Sequence, residues 1–534
     1  MSIISFGYGK SRFYENIFHV MKVSSTLVIG VTGNVWDPAQ GESLKTLVIA
    51  NGKITQILDG AQSVPGATMI TLDAGTVIFP GLINLHTHTT YNILPIWENG
   101  SVWKNRFQWR HNEGYKQQIG NLLDYIQKNW TEASADTAYA IISEIQAVAG
   151  GTTLIQETLN LDKEAADDRS FIIRNTGDQS DLQIPASADV FSVVDFYEPN
   201  VTPSGDPGED TSSWTPVKQS PYDDFVKSVN NKDTPYYATL VHVGEGKSGF
   251  IKGSTADPYS QKEIAFLFQG LGTDVSSSGS LAGAHLGLTH GCGIDLSNTA
   301  LLDFLSTNQV SLIWSPVSNL LLYLDTTDVS KLLARGINIC LGSDWSPSGS
   351  KHVLDELKFA KYVNDLLGLG ISNSELFSMV TTNAVKALGI AGTGAIAVGN
   401  DADLFVLRKT NATDDALTAL LACSDSDIDF VMVNGRVVFG LITYFTDVLQ
   451  VDYQGFPSSE GTNVAQRGVS INSALNFDLA SSLTTVDGLM QKYCTTVINM
   501  PQLKRTRFLA ADDVVYLSNI AALKAQLDKL YGAQ

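Results

Sequence analysis

Residues 80–88 read Pro80-Gly81-Leu82-Ile83-Asn84-Leu85-His86-Thr87-His88. An apolar run, Val77-Ile78-Phe79, leads through the Pro-Gly step into a short hydrophobic strand that ends on two histidines. Side chains at i and i+2 of a β-strand project from the same face. Both imidazoles can therefore reach a single ion, at about 2.0–2.1 Å per nitrogen if the ion is zinc. A His pair on an exposed strand end with no ligand is the plain alternative, and the rest of the chain decides between the two.

Outward from this stretch, the chain alternates. Strand-like runs recur at 77–85, 152–157, 171–175, 189–194, 237–242, 283–290, 310–314 and 337–342. Helical patterns lie between several of them. In 135–149, Ala138, Ile141, Ile142, Ile145, Val148 and Ala149 share one face, and Gly150-Gly151 ends the run. Another such pattern carries Leu301, Leu302 and Leu305. Eight strands with interposed helices over some 300 residues predict an α/β fold, a (β/α)8 TIM barrel spanning 77–388. A doubly wound sheet is the rival. The barrel is preferred because chemistry-bearing residues recur at the carboxyl ends of several strands.

The flanks have a different texture. Residues 22–76 read as short strands and turns, with a hairpin signal at Asn51-Gly52, and a second such segment holds Leu404–Leu407 and the turn Asn434-Gly435. Segments 1–76 and 389–440 are thus expected to build one small composite β-sandwich from both ends. Residues 441–534 form a C-terminal extension with an amphipathic helix at 520–531. The Pro-, Ser-, Asp- and Gly-rich stretch 198–235 is expected to be a lid or rim loop.

Composition narrows the function classes. With 44% hydrophobic and 17% charged residues the chain is an ordinary globular sequence, and 534 residues suggest two to four domains. A net charge of −20 argues against a nucleic-acid partner or an anionic membrane surface. Cys292, Cys340, Cys423 and Cys494 lie far apart without a CxxC pair, which predicts reduced, buried thiols. Met1–His19 lacks the apolar core of a signal peptide, and no run of 18 apolar residues occurs. A cytoplasmic enzyme acting on a small molecule is the expectation, with a homo-oligomer possible.

Of the eight histidines, four stand at strand ends. Besides His86 and His88, Ala238-Thr-Leu-Val-His242 closes a β-prone run, with Glu245 three residues on. Gly287-Leu-Thr-His290-Gly291 closes the next, and Ile337-Asn-Ile-Cys-Leu-Gly342-Ser343-Asp344 ends a later strand on a carboxylate. Ligand-type groups at so many strand-to-loop junctions are an improbable accident.

In this order the motifs resemble the amidohydrolase superfamily, in its branch of deaminases, chlorohydrolases and imidazolonepropionase-like hydrolases. The resemblance spans about 22–440. It rests on Pro-Gly-x-x-x-x-His-x-His, Gly151-Thr-Thr, His242-x-x-Glu245, His290, Ser315-Pro-Val-Ser-Asn319, Gly342-Ser-Asp344, Thr382-Asn-Ala-Val-Lys-Ala-Leu-Gly389 and Gly399-Asn-Asp-Ala-Asp403. Asn383-Ala-Val stands where the family usually has Asn-Pro-Ala. The insertion at 198–235 and the tail are longer than the branch leads one to expect.

The resemblance implies that His86, His88, His242 and Asp344 hold one divalent ion, Zn2+ or Fe2+. Three imidazoles and one carboxylate would leave a net +1 site able to acidify a water molecule. Glu245 would shuttle the proton, His290 would polarise the substrate, and Asp344 would double as base. His285 is the competing histidine on the same strand, expected to be packed. The branch with two metals needs a strand-4 lysine. Val193-Val194-Asp195-Phe196-Tyr197 has none, which predicts a mononuclear site. Asp355 and Glu356, on the following helix, are expected to be solvated or capping.

The activity implied is hydrolysis of a C–N bond other than a peptide bond, by attack of hydroxide on an sp2 carbon. Deamination of a cyclic amidine and opening of a cyclic amide, as in imidazolonepropionase-like enzymes, share the same residues. A non-catalytic barrel scaffold and a lactone or phosphotriester hydrolase are the rival classes. Trp97, Trp103, Trp109, Arg106 and Arg110 follow the first strand and either flank a planar substrate or pack the loop. Glu157 and Arg174, at the second and third strand ends, are further candidates for substrate contact.

Overall fold

The run expected as one strand over 77–85 is two in the computed structural model of the chain. Thr76–Pro80 (β5) pairs antiparallel with Leu404–Arg408, whereas Leu82–Asn84 (β6) pairs parallel with Thr152–Ile155 (β7). The break falls at Pro80-Gly81, where proline cannot donate to a ladder. The Gly81 amide still bonds the Asp403 carbonyl at 2.9 Å, and the next amide, Leu82, turns to Gly151 O at 3.0 Å. One short run thus belongs to two layers, and the chain passes from the sheet of the flanks into the parallel ladders through this step. The structure describes residues 28–97, 99–131, 135–156, 171–177, 182, 189–193, 197–198, 215–216, 236–270, 281, 285–501 and 503–532. Residues 1–19, Glu157, the strand-4 residues 194–196 and nearly all of the 198–235 insertion lie outside the described residues.

The flanks meet as one ten-stranded sheet. Four strands precede β5: Ile29–Asp37 (β1), Gly41–Ala50 (β2), Lys53–Asp59 (β3) and Thr68–Thr71 (β4). The C-terminal half supplies Leu404–Arg408 (β16), Ile428–Val433 (β17), Arg436–Leu441 (β18), Gln454–Gly455 (β19) and Arg467–Val469 (β20). The order is β19-β20-β18-β17-β16-β5-β1-β2-β3, with β4 beside β1. Two strands therefore come from beyond residue 441. Period-two alternation divides the sheet's faces. Ile78, Leu404 and Val406 join Val31, Leu47, Ile54, Phe430 and Met432 in a small core, while Val77, Phe79, Phe405 and Leu407 face the main core with the barrel. Both hairpin turns form at Asn-Gly, with φ of 54° and 77° at Asn51 and Gly52, and 49° and 74° at Asn434 and Gly435. Positive φ at two successive residues is the type I′ geometry that matches strand twist.

Between the flanks run parallel strands in sequence order, a TIM-barrel-type α/β arrangement. One ladder is β6-β7-Arg174–Asn175 (β8). The other joins Asp189–Val193 (β9), Tyr236–Val243 (β12), His285–His290 (β13), Ser311–Trp314 (β14) and Asn338–Leu341 (β15). The pair Tyr197–Glu198 (β10) and Thr215–Pro216 (β11) forms a small separate ladder. A parallel bridge between Thr87 and Asp344 brings the first and last strands together, and the Asp344 amide donates to His86 O at 2.9 Å. The helix Ala135–Ala149 occupies the expected span, and its Glu144 carboxylate accepts amides from Phe171, Ile172 and Ile173 ahead of β8.

The tail packs on this frame. Its helices, Leu479–Tyr493 and Val514–Tyr531, reach the barrel through polar contacts: Tyr493 Oη donates to Gln117 O at 2.7 Å and Tyr362 Oη to Asp528 Oδ1 at 2.7 Å. Lys351, on the loop after β15, is buried against Asp513 at 3.0 Å. All four cysteines are buried and free. Among the described residues no helix is long and apolar enough to cross a membrane.

Candidate metal centre and active site

The strand ends of β6, β12, β13 and β15 deliver their side chains to one point. His86 and His242 bring Nε2 atoms to 2.8 Å of each other. Asp344 Oδ1 lies 3.2 Å from His86 Nε2 and 3.3 Å from His88 Nε2. His290 Nε2 sits 3.8 Å from both Glu245 Oε2 and Asp344 Oδ2. Among the described residues, two triads meet the spacing for a shared ion: His86–His88–Asp344 and His86–His242–His290. His86 belongs to both. His290 thus joins the residues whose spacing suits a shared ion.

Backbone strain accompanies the site. His290 and Asp344 have φ of 64° and 59°, the left-handed region that side chains other than glycine rarely adopt. His290 is the last residue of β13, paired with Val243, and Asp344 lies beyond β15 at the bridge to Thr87. Such conformations cost on the order of 1–3 kcal/mol and persist where the surroundings enforce them.

Burial and charge set the protonation states. Burial pushes the His86 imidazole down to about 4, and Asp344 offsets this only in part. His242 is held well below its ordinary value by burial and then by the neighbouring imidazoles. Burial alone would raise the Asp344 carboxyl, but His86, His88 and His290 outweigh it and hold the group well below the usual carboxylate range. At neutral pH His86 and His242 therefore offer imidazole lone pairs beside the Asp344 carboxylate anion. Its nitrogen and oxygen separations, 2.8–3.3 Å, compare with the edge of about 3.3 Å of a tetrahedron built on bonds of about 2.0–2.1 Å. This donor set fits a divalent cation of the zinc or iron type.

One short element orients most of the cluster. The helix Pro316–Tyr323 follows β14, and Ser315, Ser318, Asn319 and Tyr323 line its inner face. Ser315 Oγ lies 2.7 Å from His86 Nδ1. Ser318 Oγ donates to Asp344 Oδ2 at 2.6 Å. Asn319 Oδ1 accepts from His290 Nδ1 at 2.9 Å, which fixes that ring's tautomer and leaves Nε2 for the cavity. Tyr323 Oη donates to Glu245 Oε1 at 2.6 Å and accepts from Trp109 Nε1 at 2.7 Å. The motif Ser315-Pro-Val-Ser-Asn319 carried no assigned roles in the sequence reading, and Tyr323 was missed. The signal was present: polar residues at i, i+3, i+4 and i+8 share a helix face.

The remaining expectations divide. His285 starts β13, half-buried, while His290 ends it within the cluster. The tryptophans form a continuous aromatic wall with Trp345, the neighbour of Asp344. Trp109–Trp345, Tyr91–Trp345 and Trp97–Trp109 centroids lie 5.8, 5.1 and 6.1 Å apart. Arg110 is exposed, and Arg106 is buried in an ion pair with Glu263. Arg174 is a correction. Its guanidinium is buried against Asp401 at 2.6 Å and Asp403 at 3.1 Å, so it ties β8 to the segment entering β16 and is not directed to the mouth. Asp355 and Glu356 are corrected too, since both are buried. Glu356 accepts from Val317 N and Ser350 Oγ, and burial raises its carboxyl to about 8.

Comparison with known proteins agrees with this geometry. The model of the amidohydrolase family matches residues 258–438. A 5'-deoxyadenosine deaminase of Methanosarcina mazei is 24% identical over 433 residues, covering 75% of this chain and 90% of its own. A 5-methylthioadenosine/S-adenosylhomocysteine deaminase of Caldanaerobacter subterraneus subsp. tengcongensis is 31% identical over 147 residues, 26% of this chain and 34% of its own. Among solved structures, an adenosine deaminase from Xanthomonas campestris with bound zinc superposes with a TM-score of 0.54 at 15% identity, covering 88% of this chain and 99% of its own. An atrazine chlorohydrolase from Arthrobacter aurescens, complexed with zinc and atraton, gives 0.55 at 15%, covering 86% and 99%.

Proposed function

We propose that the chain is an enzyme of the amidohydrolase superfamily, in its branch of deaminases and chlorohydrolases, and a metal-dependent hydrolase of non-peptide C–N bonds that releases ammonia from a planar cyclic amidine. The observation that carries this reading is the convergence of His86, His88, His242 and Asp344 with Glu245 beside them at the strand ends. Those four would hold one divalent ion, zinc or iron. Such an ion, when bound, lowers the pKa of a water molecule towards about 7 and supplies a nucleophile at neutral pH.

The chain's own groups do the rest. Glu245 would take the proton of the attacking water on one carboxylate oxygen and hand it to the departing nitrogen. His290, its Nδ1–H engaged by Asn319, presents Nε2 towards the substrate and stabilises charge there. Asp344, anchored by Ser318, serves as ligand and as partner to that proton traffic. The wall of Trp109, Trp345 and Tyr91 suits a flat heterocycle. Relatives named for deamination of 5'-deoxyadenosine and methylthioadenosine favour an adenine-type nucleoside over a cyclic amide.

The test is Glu245→Gln, assayed by ammonia release over a panel of adenine nucleosides, free purines, pyrimidines and an imidazolone. Turnover is expected to fall by about 100- to 10,000-fold, with bound metal still near one ion per chain. Survival of activity would remove Glu245 from the proton path. Ring opening without ammonia would replace deamination by amide hydrolysis.

A further inference from the structure

The two oxygens of Glu245 have different surroundings. Oε1 accepts from the Tyr323 phenol at 2.6 Å, and that phenol accepts from Trp109 Nε1 at 2.7 Å. Oε2 faces His290 Nε2 at 3.8 Å. Glu245 and Trp109 are buried, and Tyr323 is among the largest fully buried side chains. Burial, and then the Glu245 charge, push the Tyr323 phenol well above its ordinary range, so it stays protonated and acts as a donor.

The backbone is held in the same way. The first-strand loop docks on the Glu245 turn, with Arg106 N donating to Glu245 O at 3.2 Å and Asn105 bridging Gly246. Asn105 also caps the turn Arg106–Arg110 by accepting from Phe107 N and Gln108 N. This cap fixes the helix that carries Trp109. The loop after β6 and the helix after β14 thus both hold Glu245, one at its backbone carbonyl and the other at Oε1.

We infer that Tyr323, oriented by Trp109, is a positioning residue that immobilises Oε1 of Glu245 and so reserves Oε2 for proton transfer. The inference rests on the reading of Glu245 as proton carrier. A freely rotating carboxylate would present either oxygen and would lose the fixed approach that proton transfer needs. The alternative is a phenol that merely fills space and finds the nearest acceptor. Phenylalanine would then serve equally well.

The experiment uses the metal-loaded full chain and the adenine nucleoside that wild type deaminates fastest. Tyr323→Phe is expected to lower kcat by about tenfold to a hundredfold, the range for a hydrogen bond to a charged group, with KM and bound metal within about twofold of wild type. Trp109→Phe, which keeps a ring and removes the donor, is expected to lower kcat less. The double variant is expected to be no slower than Tyr323→Phe, because Trp109 acts through the phenol. A wild-type kcat for Tyr323→Phe, or losses that multiply in the double variant, would overturn the inference. If Tyr323→Phe does not fold, the kcat of Trp109→Phe decides alone, whatever its KM, because Trp109 also lines the aromatic wall: a reduced kcat supports the inference, and an unchanged kcat overturns it. Failure of the underlying reading has a separate signature, an active Glu245→Gln.

Discussion

His86 belongs to both triads whose spacing suits a shared ion, and its titration links the site to stability. Its imidazole is neutral in the fold down to about pH 4, whereas an unfolded histidine takes up its proton near 6.5. Because the folded value is the lower one, the contribution to stability is fully present above about pH 6.5 and is lost as pH falls towards 4. The loss is about 3 kcal/mol over that interval for the metal-free chain. His242 shifts in the same direction and adds to it. Denaturant unfolding of chelator-treated protein at pH 7 and pH 5 should show the lower stability at pH 5, and a flat profile would contradict neutral burial. Bound metal steepens the dependence, since protons compete for the same lone pairs. This residue was legible from the sequence as the end of an apolar strand-like run, although the strand itself stops at Asn84 and the two histidines follow it. Ser315 and Tyr323 were not legible in their roles, because nothing local says which ring or carboxylate a hydroxyl will meet across the barrel.

Two elements carry the geometry: the close approach of β15 to β6, and the helix 316–323. A Cβ added at Gly342 would fall 2.2 Å from His86 Cβ and 2.9 Å from His86 N. Gly342→Ala must therefore push the last strand off the first and separate Asp344 from His86 and His88. A destabilisation of at least about 1–3 kcal/mol is expected, together with loss of stoichiometric metal, measured by thermal unfolding and metal analysis. Retention of one ion per chain would show that the strands can part without opening the cage. The sequence reading located these strands within a residue or two because apolar runs bounded by turn signals are local features. It joined β5 and β6 into one strand because their hydrophobicity is continuous across Pro80-Gly81. Partner choice, which separates them, depends on β16, more than 300 residues away.

At the scale of the molecule, the barrel and the ten-stranded sheet are joined by buried charge as well as by the apolar face of β5 and β16. Arg174 bridges β8 to Asp401 and Asp403, and Lys53 from the sheet also reaches Asp401 at 2.9 Å. Arg174→Met would strand Asp403 without a cation. A loss of about 3 kcal/mol is expected, the low end for breaking a buried ion pair, because Lys53 remains on Asp401. At a permissive temperature, kcat and metal content should match wild type. A selective loss of activity would instead return Arg174 to the site.

The sequence by itself determined the parallel α/β pattern, the two Asn-Gly hairpins and the candidate ligand pair His86 and His88, because periodicity, turn chemistry and strand geometry act over a few residues. It also ordered the candidate ligands along the chain, since each lies at or just beyond a strand end. Only the tertiary structure decided that His290 shares a triad with His86, that Arg174 and Glu356 are buried structural groups, and that Tyr323 rests on Glu245. Each of these is a contact across strand ends or between layers. Its energy comes from burial and from partners distant in sequence, and no window on the chain contains both sides of it.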